Sequence, residues 1–267
     1  MVKRNKEFRK QFSHPKWRIS GLFITGALDH PVGVKDPEFT GVAEVFTTRE
    51  VFFKQYTDQS PVIKSLSKIR KAEAANAAAL LGGTYHCLEC DDVYILYDRE
   101  TINKATALIR EVQPTIVITA SPNCYMIDHE MTSLVAQTAC FGAGIKNMEA
   151  DGEPFGMVPY LYYVDPMEGK DKFGVPVIPG FYVDITGEIG IKEETLSCHA
   201  SQREWLRKHH KMDQYILAMK QFANFRGTEI NTEYAEGFRQ HLGHGYPQDN
   251  IIKAEIGDLV ISKNLKI

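Results

Sequence analysis

Thr115-Ile116-Val117-Ile118-Thr119-Ala120-Ser121-Pro122-Asn123-Cys124-Tyr125-Met126-Ile127-Asp128-His129-Glu130 is the stretch on which the fold class turns. Its first six residues are apolar and β-branched over the length of a buried strand, and Ser-Pro-Asn then stops the run. An Asp-His pair therefore stands just past a strand's carboxyl end, the edge where α/β sheets place their ligands. Beyond His129 the spacing predicts a helix through Leu134, Val135, Thr138 and Ala139 towards Phe141, with small residues that allow close packing on a sheet.

Working outward, helix and strand patterns alternate. Thr101 to Val112 reads as a helix stopped before Pro114, and Tyr85 to Leu88 as a short strand. Pro61 opens a long helix in which Ile63, Leu66, Ile69, Ala72, Ala75, Ala79 and Leu80 recur at helical spacing until Gly82-Gly83 ends it. Nearer the start, Ile19 to Thr25 and Glu50 to Tyr56 read as strands, with a short helix within Phe39 to Thr48. Downstream, Met157 to Val164 and Phe181 to Ile185 are strands separated by a Gly-, Pro- and Lys-rich loop, Asp165 to Gly180, of the kind that lines sites. From Glu188 on the chain reads as mostly helical, Tyr234 to Arg239 included. Repeated strand-helix-strand order implies parallel pairing with right-handed crossovers. The expectation is a single α/β domain over 1–267: a Rossmann-like, mostly parallel sheet flanked by helices, with a basic extension over 1–17 and a helical C-terminal elaboration over 188–267.

Composition narrows the partners. A formal net charge of -3 with scattered Lys and Arg offers no basic field for nucleic acid. No apolar run reaches the length of a bilayer span, and the basic N-terminus leads into no long apolar core, so no membrane is expected. Five cysteines are an odd count at low density, which suits a reducing, cytoplasmic setting.

Other chemical motifs weigh less. Cys87-Leu88-Glu89-Cys90 has the C-x-x-C spacing, but no second pair stands at zinc-ribbon distance and Asp91-Asp92 follows instead of a helix start. His209-His210 and His241-Leu242-Gly243-His244 read as solvated histidines in polar surroundings, the latter also placed to line a pocket rim. There is no G-x-S-x-G elbow, and Gly82-Gly83 ends a helix where a phosphate loop would begin one.

Several separate blocks resemble the LmbE/PIG-L family of zinc-dependent N-deacetylases. They are Arg70-Lys71-Ala72-Glu73 in the helix ending Leu80-Leu81-Gly82; Asp128-His129; Tyr182-Val183-Asp184-Ile185-Thr186; His199-Ala200-Ser201-Gln202-Arg203-Glu204-Trp205; and Tyr234 to Arg239. The resemblance implies a hydrolase that removes an acyl group from an N-acetyl amino sugar or similar N-acyl metabolite. It also implies one Zn2+, a small-molecule substrate and a homo-oligomer. The family's first block is His-Pro-Asp-Asp, supplying a zinc-binding His and Asp and a general base. Here His30-Pro31 is followed by Val32-Gly33, and Asp36-Pro37-Glu38-Phe39 resembles the continuation after the second Asp. The metal set implied is His30, Asp36 and His129, across a loop lengthened by three residues, with Lys35 where the base belonged. Asp36 and Asp128 are the carboxylates assigned to catalysis, and Asn123, Tyr125 and Arg70 the contacts to substrate. Each role has a plainer rival. His129 can be a helix-start residue packed under a loop, Asp128 a cap, and Arg70 the structural partner of Glu73. A relative that keeps the fold as a binding or assembly protein, or a zinc hydratase of the same superfamily, is the alternative function.

Overall fold

Short apolar runs spaced along the chain supply the strands of one sheet. The computed structural model describes residues 21–24, 44–46, 61–91, 93–201, 203 and 214–262. Four strands run parallel at one side: β1 (Gly21–Ile24), β2 (Glu44–Phe46), β3 (Ile116–Thr119) and β4 (Tyr160–Val164). β5 (Phe181–Asp184), β6 (Ala235–Gln240) and β7 (Val260–Ile261) complete the order β2-β1-β3-β4-β6-β5-β7. The β1–β2, β1–β3 and β3–β4 pairs are parallel, while β4–β6, β5–β6 and β5–β7 are antiparallel.

The helices begin and end where local chemistry directs. α1 (Pro61–Leu80) closes in a Schellman turn, with Gly83 N donating to Ala78 O and Gly82 at φ 76, a left-handed value that glycine adopts without strain. α2 (Arg99–Val112) is capped by Asp98, whose side chain accepts from Thr101 N at 2.8 Å, and ends on Gln113 in the left-handed region. α3 (Ile127–Gly142) follows β3 directly. Then come α4 (Ile189–Ser197), α5 (Gln214–Ile230) and α6 (Ile251–Ile256). Among the described residues no helix is long and apolar enough to cross a membrane.

Alternation along β3 and β4 divides the core between two faces. Val117, Leu161 and Tyr163 pack with Ala105, Leu108 and Ile109 of α2 and Val135, Ala136 and Ala139 of α3. The small residues of α3 are fully buried, which brings its axis close over β3 and seats its first turn at the strand's end. On the opposite face Ile116, Tyr162, Val164, Phe181, Phe238 and Val260 pack together with Ile251, Ile252 and Ile256 around α6.

Four expectations are corrected. The sheet is mixed rather than mostly parallel, because its second half returns through antiparallel pairs. Phe39 to Thr48 holds β2 at Glu44–Phe46 instead of a helix. Tyr85 to Leu88 forms no strand of the sheet; Glu89 at φ 57 and Val93 at φ 64 take left-handed backbone values that break an extended run. Tyr234 to Arg239 is not helical: Ala235, Gly237 and Phe238 are buried along β6. Helix-forming Ala, Glu and Arg yield there to pairing on both sides. Gly237 has a specific reason, since a Cβ at that position would overlap the Asp165 carboxylate and the Pro179 ring. The expected strand Glu50 to Tyr56 and the helical segment at Trp205-Leu206 lie outside the described residues.

One buried ion pair ties these parts together. Arg226 of α5 donates Nε to Asp165 Oδ2 at 2.8 Å and Nη2 to Asp165 Oδ1 at 3.2 Å, just past β4. Its remaining donors reach Val177 O at 3.1 Å and Glu229 Oε2 at 2.8 Å. Burial raises the Asp165 carboxyl to about 6 against the pull of Arg226, so it is ionised at neutral pH. Breaking such a pair strands a buried charge. Arg226→Met is expected to lose about 3–5 kcal/mol of unfolding free energy, read by urea denaturation, and Arg226→Lys, which cannot form the fork, to recover only part of it.

Candidate functional site

The chain leaves β3 through a tight turn that side chains close from several directions. Ser121 Oγ donates to Asn123 O at 2.9 Å and accepts from Asn123 N at 3.2 Å. Arg239, carried in by β6, donates Nη2 to Ser121 Oγ at 2.7 Å and Nη1 to Asn123 Oδ1 at 3.1 Å. Cys124 N donates to Glu130 Oε1 at 3.2 Å, so the first turn of α3 reaches back over the connection that precedes it. The other oxygen of Glu130 accepts from Lys172 Nζ at 2.8 Å, which draws in the loop after β4.

His129 sits inside this frame. It is 4 % exposed, and its Nδ1 lies 3.1 Å from Cys124 Sγ, with the Tyr125 ring edge-on to the imidazole at 6.1 Å between centroids. Burial pushes the Cys124 thiol up, but the hydrogen bonds from His129 and from the Met126 and Met167 backbone outweigh it and hold the thiol below its ordinary value. A buried imidazole with one ring nitrogen fixed by a neighbouring side chain has the surroundings of a metal ligand, and N and S donors suit zinc. Among the described residues no three His, Cys, Asp or Glu groups gather around one point.

Asp128 is fully buried and faces the other way along the helix start. Its Oδ2 accepts from Val93 N at 2.6 Å and its Oδ1 from Ile95 N at 3.4 Å, which pins the loop before α2 to the first turn of α3. The cap of α3 is Met126, not Asp128. Asn123 is held by Arg239, and Tyr125 is 59 % exposed beside His129. Arg70 lies buried on α1, where it and Glu73 both act electrostatically on His199. Glu73 accepts from Ser201 N at 2.8 Å and Ser201 Oγ at 2.7 Å, joining α1 to the segment after α4. His241 takes a 2.8 Å hydrogen bond with the Tyr163 hydroxyl.

Asn123, Tyr125, Asp128 and His129 thus share the strand-end turn, and Arg70 belongs to the α1–α4 contact. His30 and Asp36 lie outside the described residues. Cys124 is a site residue that the sequence motifs do not single out. Arg239 reaches the site only because Ala235–Gln240 is strand and not helix. The signal for Cys124 is its position five residues before His129, directly after the Pro122-Asn123 turn; the sequence carries no local signal for Arg239, whose strand is set by its partners β4 and β5.

Residues 36–140 match the family described as PIG-L: GlcNAc-PI de-N-acetylase, which bears out the resemblance to LmbE/PIG-L proteins. No curated protein matches the chain. Among solved structures, N,N'-diacetylchitobiose deacetylase from Pyrococcus horikoshii is similar with a TM-score of 0.63 at 21 % identity, over 90 % of this chain and 92 % of that one. The 4-carboxy-2-hydroxymuconate hydratase GalB from Pseudomonas putida gives a TM-score of 0.63 at 18 % identity, over 87 % and 99 %. A zinc-inhibited form of the teicoplanin deacetylase Orf2 gives 0.55 at 14 % identity, over 84 % and 99 %. At these identities the likeness is one of fold.

His199 supplies a measurable consequence of the α1–α4 contact. Burial lowers its pKa to about 4, with Glu73 opposing and Arg70 adding to the fall. The folded chain therefore holds it neutral while the unfolded chain protonates it below its ordinary 6.5, so stability is complete above pH 6.5 and is lost as pH falls through 4. His199→Asn removes that term: between pH 7 and pH 4 the variant is expected to lose up to about 3 kcal/mol less than the parent in urea titrations.

Proposed function

We propose, on the premise that residues 36–140 carry the PIG-L pattern, that this chain is a zinc-dependent hydrolase removing an acyl group from an N-acetyl amino sugar or a similar N-acyl metabolite. The observation that carries the reading is His129, buried at the carboxyl end of β3 with its Nδ1 held by Cys124. His30, Asp36 and His129 would hold the zinc. When bound, the metal supplies a Lewis acid for the acyl oxygen and a water with a pKa of about 7. Cys124 fixes the imidazole's rotation and proton position, as partners of metal-binding histidines do. Asp128 already accepts from two backbone amides and serves to hold the turn in place, which leaves Asp36, through the carboxylate oxygen that would not bind the metal, as the group we assign to the water's proton. Asn123 and Tyr125 border the reacting centre and are assigned to substrate. Arg70 is left to the α1–α4 contact.

The reading carries a homo-oligomer and a cytoplasmic location; five free cysteines accord with the latter. Val32-Gly33 in the first block favours the second reading, a relative that keeps the fold without the reaction.

Purification in zinc-containing buffer is expected to give close to one zinc per chain by elemental analysis. Acetate release from N-acetylated sugars should fall on the order of 10²-fold or more in His129→Ala. Chelation should abolish it and added zinc restore it. Metal-free protein without acetate release decides for the second reading.

A further inference from the structure

The loop after β4 is a built hairpin, and it ends in an exposed aromatic ring. Asp171-Lys172-Phe173-Gly174 form a turn in which Gly174 N donates to Asp171 O at 3.0 Å and Gly174 takes φ 79. Asp171 Oδ1 accepts from Phe173 N and Val175 N, both at 2.9 Å, and Lys170 bridges Pro176. Asp at the first position and Gly at the fourth are what a type I turn followed by a left-handed residue demands. The hairpin is pinned at both ends. At its base Arg226 Nη2 donates to Val177 O at 3.1 Å, and at its tip Lys172 Nζ reaches Glu130, the neighbour of His129, at 2.8 Å. Phe173, next to that contact, is 80 % exposed.

An ordered turn that holds a phenyl ring in water, beside the helix turn carrying the candidate catalytic group, gives up the stabilisation that burying the ring would bring. Tyr125 stands exposed against His129 itself. The apolar C–H face of a pyranose packs on such rings, while its hydroxyls stay in water. We propose that Phe173, with Tyr125, forms an aromatic rim that takes one face of a pyranose ring and makes the site prefer N-acyl sugars to open-chain N-acyl compounds. This rests on the hydrolase reading. Phe173 sets specificity and takes no part in the bond that breaks.

The test uses the full chain and N,N'-diacetylchitobiose as probe. Phe173→Ala is expected to raise KM for the sugar about tenfold with kcat nearly unchanged, and to leave the kinetics on N-acetylglycine as they were. Phe173→Trp should give a saturable change in emission on titration with the sugar, also when combined with His129→Ala. A saturable signal without turnover in any variant keeps the rim and sinks the hydrolase reading. Turnover with an unaltered KM in Phe173→Ala overturns the rim and leaves the hydrolase standing. A lower assembly mass in Phe173→Ala with unaltered KM overturns it too, assigning the ring to a contact between copies of the chain.

Discussion

The Asp165–Arg226 fork is the interaction around which the site side of this molecule is organised. Asp165 follows β4, Arg226 belongs to α5, and the guanidinium's contact with Val177 O fixes the base of the hairpin. On its other flank Asp165 crowds Gly237, so β6 can lie beside β4 only because that residue has no side chain. With β6 in register, Arg239 stands opposite Tyr163 and reaches across to Ser121 and Asn123. Charges taken out of water are costly, and the pair's value lies in geometry: two parallel N–H bonds admit one relative placement of strand end and helix.

Where one segment carries its own instructions, the sequence is a sufficient guide. β3 is β-branched and ended by Ser-Pro-Asn, α1 has Pro61 and Gly82 at its ends, and α2 is capped by Asp98; each is decided within a few residues. The antiparallel half was not legible for the opposite reason. Ala235 to Arg239 becomes a strand through partners far along the chain, β4 and β5, and through the room Gly237 leaves for Asp165. Local preference is worth tenths of a kcal/mol per residue, whereas pairing on both sides satisfies a full row of backbone groups.

The candidate site divides along the same line. His129 is legible because its position depends on β3 and α3, both locally determined. Its contact with Cys124 depends on the connection after β3, which Arg239, on a strand distant in sequence, holds at Ser121 and Asn123, and which Glu130 holds at the Cys124 amide. Asp128 shows the limit of reading roles from motif position. It stands next to the candidate ligand, yet its carboxylate is spent on the backbone of Val93 and Ile95.

The rim and the frame follow different physical rules. Ser121 and Asp128 at the strand end each make two or more hydrogen bonds, so small shifts there are expensive. Phe173 is held only through its backbone, by Asp171 and the turn, while its ring touches solvent. Because the turn is already ordered, a ligand that covers the ring does not have to immobilise a loop, and that part of the cost of binding is avoided. On the rim proposal, a change of ring at this position alters what is bound without disturbing how His129 is held, which separates specificity from catalysis.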